Sequence, residues 1–306
     1  MADTPPPPSS SRTIIFARRS ASTVVLWALV ATIFFSRWSW AYLGLVGLLA
    51  IIATVEYFRM LRAAAVAGFP RFGILLASAY CAILYASFLR GQAPPADLDA
   101  VAICIALTGA FALQLRQPVR GVGSLLAVAA TVLGFIYIAF LFNFAARLIF
   151  IVPGWNETPG RIGEHAAYLL LWLLAVTKFT DMGAYITGSV IGRHKLIPHV
   201  SPGKTWEGFG GALLFAQLAG CGLFAAFPAP LSMLGHYGHV IALGFLLAVL
   251  AVFGDLAESV LKRALNAKDS GHILPGIGGA LDLIDSLCLT APALYFYLQW
   301  ILLPTA

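Results

Sequence analysis

The sequence predicts an all-α, polytopic integral membrane protein with about nine transmembrane helices and a cytoplasmic N-terminus. Of its 306 residues, 60% are hydrophobic and 10% are charged, whereas soluble proteins average roughly 45–50% apolar and about 25% charged residues. The mean hydropathy is +0.88, and a chain of this size cannot hide so much apolar surface from water in a single core. The composition therefore excludes an ordinary soluble domain.

The transmembrane helices are predicted from apolar windows, because a helix needs roughly 20 apolar residues to cross a hydrocarbon core about 30 Å thick. Nine windows bounded by charge, Gly or Pro lie at residues 21–36, 39–57, 72–89, 98–115, 122–146, 165–190, 209–228, 238–256 and 284–303. Before them, residues 1–20 contain a PPPPSSS run, which predicts a disordered tail. A signal peptide is the alternative for the first window, because Arg18 and Arg19 precede it and Ser39-Trp40-Ala41 resembles a cleavage site.

The orientation follows from the Lys and Arg residues between the windows, because cytoplasmic loops retain positive charge. With the N-terminus in the cytoplasm, 14 of these 19 residues fall on the cytoplasmic side and four on the other. The cytoplasmic group is Arg12, Arg18, Arg19, Arg59, Arg62, Arg71, Arg116, Arg120, Arg193, Lys195, Lys204, Lys262, Arg263 and Lys268, and the opposite group is Arg37, Arg90, Arg147 and Arg161. Nine spans then leave the C-terminus outside.

The acidic residues divide the chain into two parts. Seven of the 13 follow residue 180, which predicts a catalytic domain over residues 161–306 with cytoplasmic loops at 192–208 and 257–283. Residues 21–160 are expected to form a scaffold, a lipid groove or a dimer contact, with Gly44, Gly47, Gly121 and Gly123 allowing close helix approach. The basic residues are scattered rather than gathered on one face, so nucleic acid is not an expected partner. The four Cys residues lie in apolar runs without CxxC spacing, which favours reduced packing residues.

Two segments with basic residues precede the carboxylates near the end of the sequence. Lys178 and Asp181 are three residues apart and share one helix face, which indicates either a self-neutralising pair or a carboxylate that faces a polar cavity. In the loop that follows, Ser201-Pro202 has the pattern of a helix start, with Ser as N-cap and Pro at the first helical position. Lys204 would then lie in the first turn, where free amides bind phosphate. An ordinary cytoplasmic loop is the alternative.

Carboxylates near the end of the sequence predict a metal site. Asp255, Glu258, Ser259 and Lys262 form a polar stripe at helical spacing, which an amphipathic cytoplasmic helix would also show. A Gly- and Pro-rich loop follows and can bring its backbone close to a ligand. Asp282 and Asp285 then stand three apart at the start of the last span, where they could merely complement the helix macrodipole. Together with Asp255 they are expected to hold Mg²⁺, which prefers carboxylates, water and substrate phosphates.

Three blocks of this sequence resemble the signature of the phosphatidate cytidylyltransferases, the CDP-diacylglycerol synthases. The C-terminal block comprises Ser259-x-Leu-Lys-Arg, Lys268-Asp269-x-Gly, Leu274-Pro275-Gly276-x-Gly278-Gly279 and Leu281-Asp282-x-x-Asp285-Ser286. The upstream blocks are Asp181-x-Gly-Ala-Tyr185 and Ser201-Pro-x-Lys204-Thr205-Trp206-Glu207-Gly208. The motifs occur in the family's order over residues 178–286, whereas the first 160 residues are similar only in hydropathy and span number.

The resemblance implies a Mg²⁺-dependent reaction in which CTP and phosphatidate give CDP-diacylglycerol and pyrophosphate. The expected site is on the cytoplasmic side of the membrane, which is the inner membrane if the source is a bacterium. The resemblance also implies catalytic roles for Asp255, Asp282, Asp285, Lys204 and Lys262, with the three aspartates as metal ligands and Asp181 as an additional candidate ligand. Substrate binding is expected of Ser201, Lys204, Thr205, Glu207, Ser259, Lys262, Arg263, Lys268, Asp269, Gly276, Gly278 and Gly279. A homodimer and a second, monovalent cation such as K⁺ are further expectations.

Three positions depart from the family pattern. Gly203, Ile277 and Leu283 stand where Lys, His and Arg are usual, which removes two cations and one imidazole near the expected phosphate site. The alternatives are a CTP-dependent lipid kinase, a cytidylyltransferase for another lipid, and a homologue that binds CTP or lipid without turnover. A secondary transporter that couples through Lys178 and Asp181 is more remote, because the sequence lacks the internal symmetry of transporters.

Overall fold

A computed structural model describes residues 28, 31–152, 160–267, 269–271 and 278–303. Within these residues the chain is predominantly helical, with one short hairpin between the fifth and sixth long helices. The helices are α1 Ser39–Ala63, α2 Pro70–Leu89, α3 Leu98–Gln114, α4 Val122–Phe150, α5 Glu164–Ile191, α6 Trp206–Ala226, α7 Tyr237–Ala264 and α8 Ala280–Leu302. The hairpin is formed by β1 Lys195–Ile197 and β2 Ser201–Thr205, which pair antiparallel. A π-helical turn lies within α4 at Phe135–Phe140, another ends α8 at Leu298–Leu302, and a 3₁₀ turn at Ser232–Leu234 precedes α7.

The helices confirm the predicted class, an all-α polytopic membrane protein. Seven of them are long and apolar enough to cross a membrane, and α3 is a shorter apolar helix. Each coincides with one of the predicted windows. Of the first predicted window, residues 31–36 are helical, while most of it, like the predicted tail at 1–20, lies outside the described residues. The count of nine spans and the division at residue 160 therefore stay predictions.

Backbone contacts join the loops that were predicted to lie on the same side. Arg37 accepts a hydrogen bond from the Ile162 amide at 2.7 Å, and Ser39 donates to the Gly160 carbonyl. On the opposite side, the Arg263 guanidinium contacts the Val200 carbonyl of the hairpin. Both contacts join loops that the predicted alternation of spans places on the same side, and the alternation itself stays a prediction.

A seam of glycines holds α5 against α6. A Cβ atom at Gly183 would lie 2.6 Å from the Gly211 carbonyl oxygen, so no larger residue fits there without moving the helices. Farther along the same pair, the buried Trp172 indole donates a hydrogen bond to the Gly220 carbonyl at 3.0 Å. Close packing through small residues is how helices associate in lipid, and here it fixes the two helices that flank the hairpin.

The first half of the chain packs around α1. The Tyr57 hydroxyl donates to the Ala130 carbonyl of α4 at 2.8 Å. Gly47 lies against the Tyr85 ring, as expected of a close-approach glycine, whereas Gly44, Gly121 and Gly123 have no described atom within 4 Å of an added Cβ. Among the four predicted positions, close approach within the described chain is therefore found at Gly47.

The outer surface carries apolar side chains, as expected of a protein surrounded by lipid. Large exposed examples on different helices are Leu75, Leu125, Leu214 and Phe245. The interior of the helix bundle is also apolar, and large side chains such as Trp172 and Tyr57 are fully buried there. Polar side chains inside this body are consequently rare, and each must have a partner or a function.

Candidate active site

Three carboxylates from two helices converge at one point, and we call them the acidic trio: Asp255 and Glu258 of α7 and Asp285 of α8. One oxygen of each lies within 4.8 Å of the others. Asp255 and Glu258 share a face of α7 because they are three residues apart. Glu258 and Asp285 are only 1% and 5% exposed. Three acidic groups held so close, two of them buried and the third, Asp255, 39% exposed, need a cation or bound protons to offset their repulsion.

A glycine sets the separation of the two helices at this point. A Cβ atom at Gly254 would lie 2.8 Å from the Asp285 carbonyl oxygen and 3.0 Å from the Ser286 Cα atom. Both contacts are with backbone, which cannot rotate away as a side chain can. The absence of a side chain at Gly254 therefore lets α7 and α8 approach where the acidic trio forms.

An unpaired oxygen in the trio is evidence that the group fits a cation. Glu258 Oε2 contacts Lys262 Nζ at 2.5 Å, whereas Oε1 is buried and has no hydrogen-bond partner among the described residues. Buried polar atoms are nearly always satisfied, and an exception requires an explanation such as a missing ion. Hard divalent cations prefer carboxylate oxygens, so the donor set of Asp255, Glu258 and Asp285 fits Mg²⁺.

Asp282, which the sequence predicts as a third metal ligand, is engaged differently. Its Oδ1 accepts from Lys262 Nζ at 2.8 Å, and its Oδ2 accepts from the Gly279 amide at 2.8 Å. Lys262 therefore bridges Asp282 of α8 and Glu258 of α7. In this arrangement Glu258 takes the place expected for Asp282, and metal ligation by Asp282 stays a prediction.

The hairpin corrects one expectation from the sequence. Ser201 does not cap a helix, because residues Ser201–Thr205 form β2 and pair with β1, with Ser201 opposite Ile197. Helix α6 begins at Trp206, and its N-cap is Thr205, whose hydroxyl accepts from the Gly208 amide at 3.1 Å. The Ser-Pro pattern was misleading because Pro is also tolerated on an edge strand, where its missing amide costs no ladder bond.

The hairpin carries Lys204 to the acidic trio. Lys204 Nζ lies 2.9 Å from Asp255 Oδ2 and also donates to the Val252 carbonyl. This cation therefore reaches the site from β2 rather than from the first turn of a helix. Asp255 in turn accepts a long hydrogen bond of 3.5 Å from Ser259, another residue expected to bind substrate.

A cavity of about 370 Å³ opens beside Lys204. Its lining comes from α5, the hairpin, α6 and α7, and its polar residues include Asp181, Ser201, Lys204, Thr205 and Asp255. Gly203 also borders it, so the position that usually carries Lys contributes open space there. Residues from both upstream blocks are thus brought together around one cavity, which Asp255 of the acidic trio also lines.

Lys178 and Asp181 form a loose pair on α5. Their charged atoms are 3.7 Å apart, and Lys178 also donates to the Leu283 carbonyl of α8 at 3.3 Å. Asp181 faces the cavity, as the functional interpretation of this pair expects. Leu283 accepts the hydrogen bond from Lys178 with its backbone carbonyl. The contact therefore does not depend on the side chain at position 283, where the family usually has Arg.

The carboxylate of Glu207 contacts the segment directly before β1. Its carboxylate accepts from the amides of Arg193 and His194 and lies 2.6 Å from His194 Nδ1. These bonds close the base of the hairpin and hold β2 in position. The role of Glu207 in substrate binding stays a prediction, since the described contacts of its carboxylate are with Arg193 and His194, which directly precede β1.

Part of the glycine loop is described. Gly278 has a φ of 116°, a conformation that residues with a side chain rarely adopt, and Gly279 donates to Asp282. Asp269 is exposed, and Arg263 is exposed and contacts the hairpin. The predicted substrate-binding residues Lys268 and Gly276, together with Ile277, lie outside the described residues.

Glu56, a carboxylate of α1, was not among the residues predicted from the sequence. It is 1% exposed, and its Oε2 accepts from the Leu281 amide in the first turn of α8 at 3.1 Å. An added Cβ at Gly271 or Gly279 would meet the same carboxyl group. A lone acidic residue inside an apolar window was the signal available in the sequence, because such residues rarely lack a function.

These features define a class of protein: an integral membrane protein with a largely buried carboxylate site, two lysines and an adjoining cavity. The family model described as "Cytidylyltransferase family" matches residues 17–301. The chain therefore belongs to the cytidylyltransferase family.

Several curated relatives match part of the chain. An uncharacterized protein, YnbB of Escherichia coli, is 36% identical over 198 residues, which is 64% of this chain and 62% of the relative. The phosphatidate cytidylyltransferase of Bacillus subtilis is 39% identical over 139 residues, covering 45% of this chain and 49% of the enzyme. The enzyme of the same name from Brucella suis is 42% identical over 128 residues, covering 42% and 46%. The matched segments thus span from about half to less than two thirds of these relatives.

Proposed function

We propose that this chain is a phosphatidate cytidylyltransferase, which converts CTP and phosphatidate into CDP-diacylglycerol and pyrophosphate. The observation that carries the proposal is the acidic trio, flanked by Lys204 and Lys262 and adjoining the cavity. Relatives with this name are 39–42% identical over their matched segments, and the family match covers nearly the whole chain.

The reaction requires two anions to meet. A phosphate oxygen of phosphatidate forms a bond to the α-phosphorus of CTP, and the bond from that phosphorus to the β-phosphate bridging oxygen breaks, so that pyrophosphate leaves. The attacking oxygen is already anionic and needs little help from a base. The tasks left to the protein are charge neutralisation and alignment of the two groups.

The two lysines supply positive charge at fixed positions. Lys204 approaches from the hairpin and Lys262 from α7, and both are mostly buried, with side chains 18% and 17% exposed. Their carboxylate partners orient the ammonium groups before substrate arrives, so little reorganisation is needed when a phosphate binds. We assign Lys204 to the cavity side and Lys262 to the glycine-loop side of the phosphates.

The acidic trio would hold Mg²⁺, with Asp255, Glu258 and Asp285 as ligands. When bound, the ion would polarise phosphoryl oxygens and neutralise the charge that develops on them. Asp282 would act through Lys262, whose ammonium group it holds at 2.8 Å. A further monovalent cation and a homodimer belong to the same proposal as expectations from the resemblance.

The membrane setting accounts for the choice of a lipid substrate. The acidic trio lies within helices long and apolar enough to span a bilayer, so a lipid phosphate could reach it while its acyl chains stay in the hydrocarbon. We place the site on the cytoplasmic side, where most basic residues are predicted and where CTP is available. In a bacterium this would be the inner membrane.

A cytidylyltransferase for another lipid phosphate is the second candidate. Gly203 borders the cavity and leaves open space, with no described atom within 4 Å of an added Cβ. Loss of a usual Lys at this position changes both the charge and the room available next to the substrate phosphates. A different headgroup preference would follow from those two changes.

Product analysis tests the proposal. Membranes that contain the expressed chain would be given Mg²⁺, CTP labelled in the cytidine and phosphatidate, and the lipid extract would be analysed. We expect labelled CDP-diacylglycerol and one pyrophosphate for each lipid formed. Labelled CDP without a cytidine lipid would indicate a kinase instead, and turnover with another lipid phosphate alone would favour the second candidate.

A further inference from the structure

Lys178 of α5 is a charged residue that the proposed reaction does not use. It lies in a helix long and apolar enough to cross a membrane, where an ionisable residue is costly and usually marks a function. Its side chain is 29% exposed. The ammonium group lies 3.7 Å from Asp181 of the same helix and donates to the Leu283 carbonyl of α8 at 3.3 Å. The second contact connects a wall of the cavity to the helix that carries Asp285.

Helix α8 is interrupted at the residue that joins the acidic trio. Its first segment is Ala280–Ile284, the next is Leu287–Tyr297, and Asp285 lies in the turn between them. The amide of the following residue donates to Asp285 Oδ1 at 2.5 Å, so the carboxylate is held at the interruption itself. The last carbonyls of a helical segment lack partners within the helix, and Leu283 is the penultimate residue of the first segment. Lys178 supplies a donor to that carbonyl.

Three lysines connect the elements around the acidic trio, each between a different pair. Lys204 joins the hairpin to α7, and Lys262 joins α7 to α8. Lys178 joins α5 to α8. The backbone of α8 near the trio is therefore contacted from two sides, by α7 at Gly254 and by α5 through Lys178.

Building on the Mg²⁺ site of the proposed function, we propose that Lys178 is a positioning residue, which holds the interruption of α8 so that Asp285 is in place to bind the ion. It acts through the Leu283 carbonyl, two residues before Asp285, and not by contact with substrate. Mg²⁺ demands near-ideal octahedral geometry from its ligands, and groups that orient metal ligands contribute strongly to affinity. Helix α5 thus supports the metal site although the trio lies on α7 and α8.

The test uses variants of purified, full-length protein at two neighbouring positions. Lys178→Met removes the donor and the charge but keeps most of the side-chain volume, whereas Lys178→Arg keeps both donor and charge. Phe179→Leu, at the next position, where the side chain is 41% exposed, is the matched control. Lys178→Gln has a shorter side chain without charge, and it tests the same contact if Lys178→Met does not fold.

Mg²⁺ binding gives a readout that does not depend on turnover. The melting temperature is measured over a series of Mg²⁺ concentrations without CTP or lipid, because a ligand stabilises the folded state once its concentration exceeds its Kd. We expect this rise to begin at about tenfold higher Mg²⁺ in Lys178→Met, which is at the low end of the effect of replacing groups that orient metal ligands. Lys178→Arg and Phe179→Leu should respond as the wild type does.

The direction of the shift separates positioning from simple electrostatics. A nearby ammonium group repels Mg²⁺, so loss of the charge alone would lower the Mg²⁺ concentration required. A higher requirement therefore indicates lost positioning. In the turnover assay, the same displacement along the Mg²⁺ axis should appear, and the rate of Lys178→Met should approach that of the wild type at saturating Mg²⁺.

The outcomes distinguish this inference from the function on which it rests. An unchanged or lower Mg²⁺ requirement in the folded Lys178→Met or Lys178→Gln variant would overturn the role of Lys178 and leave the proposed reaction untouched. A wild-type melting temperature that does not respond to Mg²⁺ would overturn both the metal site and this role. A normal Mg²⁺ response without formation of CDP-diacylglycerol would overturn the proposed reaction alone, and the comparison of variants would still decide the role of Lys178.

Discussion

At the scale of single residues, Lys262 links the two acidic helices. Its ammonium group lies 2.5 Å from Glu258 of α7 and 2.8 Å from Asp282 of α8, and its side chain is 17% exposed. A buried ion pair adds little net stability when intact, but removing one partner is costly because it leaves an uncompensated charge. Removal of Lys262 would leave two carboxylates, those of Glu258 and Asp282, without their cation.

Replacement of this lysine tests the bridge. We expect Lys262→Met, which keeps most of the side-chain volume, to destabilise the protein by about 3 kcal/mol because Glu258 and Asp282 lose their cation. It should also abolish measurable turnover. The exposed Lys195 of β1 provides the control, and Lys195→Met should melt and turn over like the wild type. Equal behaviour of the two variants in thermal melting would contradict the bridge.

The sequence predicted most of the residues of this site, but it did not predict which of them contact one another. Asp255, Asp285 and Lys262 were identified from spacing and resemblance, and the structure brings them together. Asp282 was expected to be a metal ligand because it shares a helical face with Asp285, three residues away. Which carboxylates meet, however, depends on the tertiary approach of α7 to α8 at Gly254, and spacing along one chain segment carries no information about that.

At the scale of helices, the crossing of α7 and α8 decides whether the acidic trio exists. The two backbones approach at Gly254, where any Cβ atom would collide with the Asp285 carbonyl and Ser286. Adding a methyl group to such a contact forces the backbone to shift and costs roughly 1–3 kcal/mol. The shift would move Asp285 relative to Asp255 and Glu258.

A single methyl group therefore serves as a test of this crossing. Gly254→Ala should lower the rate of CDP-diacylglycerol formation by about tenfold or more, equivalent to at least ~1.4 kcal/mol in the barrier, and should raise the Mg²⁺ concentration needed for half-maximal rate. Gly222→Ala in α6, where the added methyl group has open space, is the matched control. A Mg²⁺ dependence of Gly254→Ala identical to that of Gly222→Ala would contradict the account.

Glu56 connects α1 of the scaffold half to the start of α8. It accepts from the Leu281 amide, one turn before Asp285, and so fixes the first turn of that helix. Glu56→Ala should reduce turnover by about tenfold, whereas Glu56→Gln keeps an acceptor oxygen and should retain most of it. The exposed Glu164 of α5 offers the control Glu164→Ala. Turnover by Glu56→Ala equal to that of the control would show that this anchor is dispensable.

Short sequence motifs predicted the structure least well where the same residues can form either a helix start or a β-strand. Ser201-Pro202 matches a helix start, yet these residues lie in β2, because pairing with β1 satisfies their backbone and leaves Thr205 to cap α6. The long apolar helices were predicted well, since their length and hydropathy are set by the membrane rather than by partners elsewhere in the chain.

At the scale of the whole molecule, the distribution of charge defines two faces. The loops that meet in the structure are those that alternation of the spans places together, such as the segments at Arg37 and Ile162 on one face and Val200 and Arg263 on the other. The excess of Lys and Arg on the second face predicts that it is cytoplasmic. The hairpin and the cavity would then face the compartment that contains CTP.

Labelling of introduced cysteines checks this orientation. In a background without the four native cysteines, Lys195→Cys in β1 should react with a membrane-impermeant maleimide only after cells are opened. Ala229→Cys, on the exposed segment between α6 and α7, should react in intact cells. Reversed labelling would show that the protein has the opposite orientation and that the charge argument fails.

The most direct test of the central claim is the Mg²⁺-dependent rate of CDP-diacylglycerol formation in carboxylate variants. If the acidic trio is the metal site of a phosphatidate cytidylyltransferase, Glu258→Gln should abolish turnover as completely as Asp255→Asn and Asp285→Asn. The control Asp97→Asn, at an exposed position before α3, should keep the wild-type rate. Normal turnover and normal Mg²⁺ dependence in Glu258→Gln or Asp285→Asn would contradict the claim.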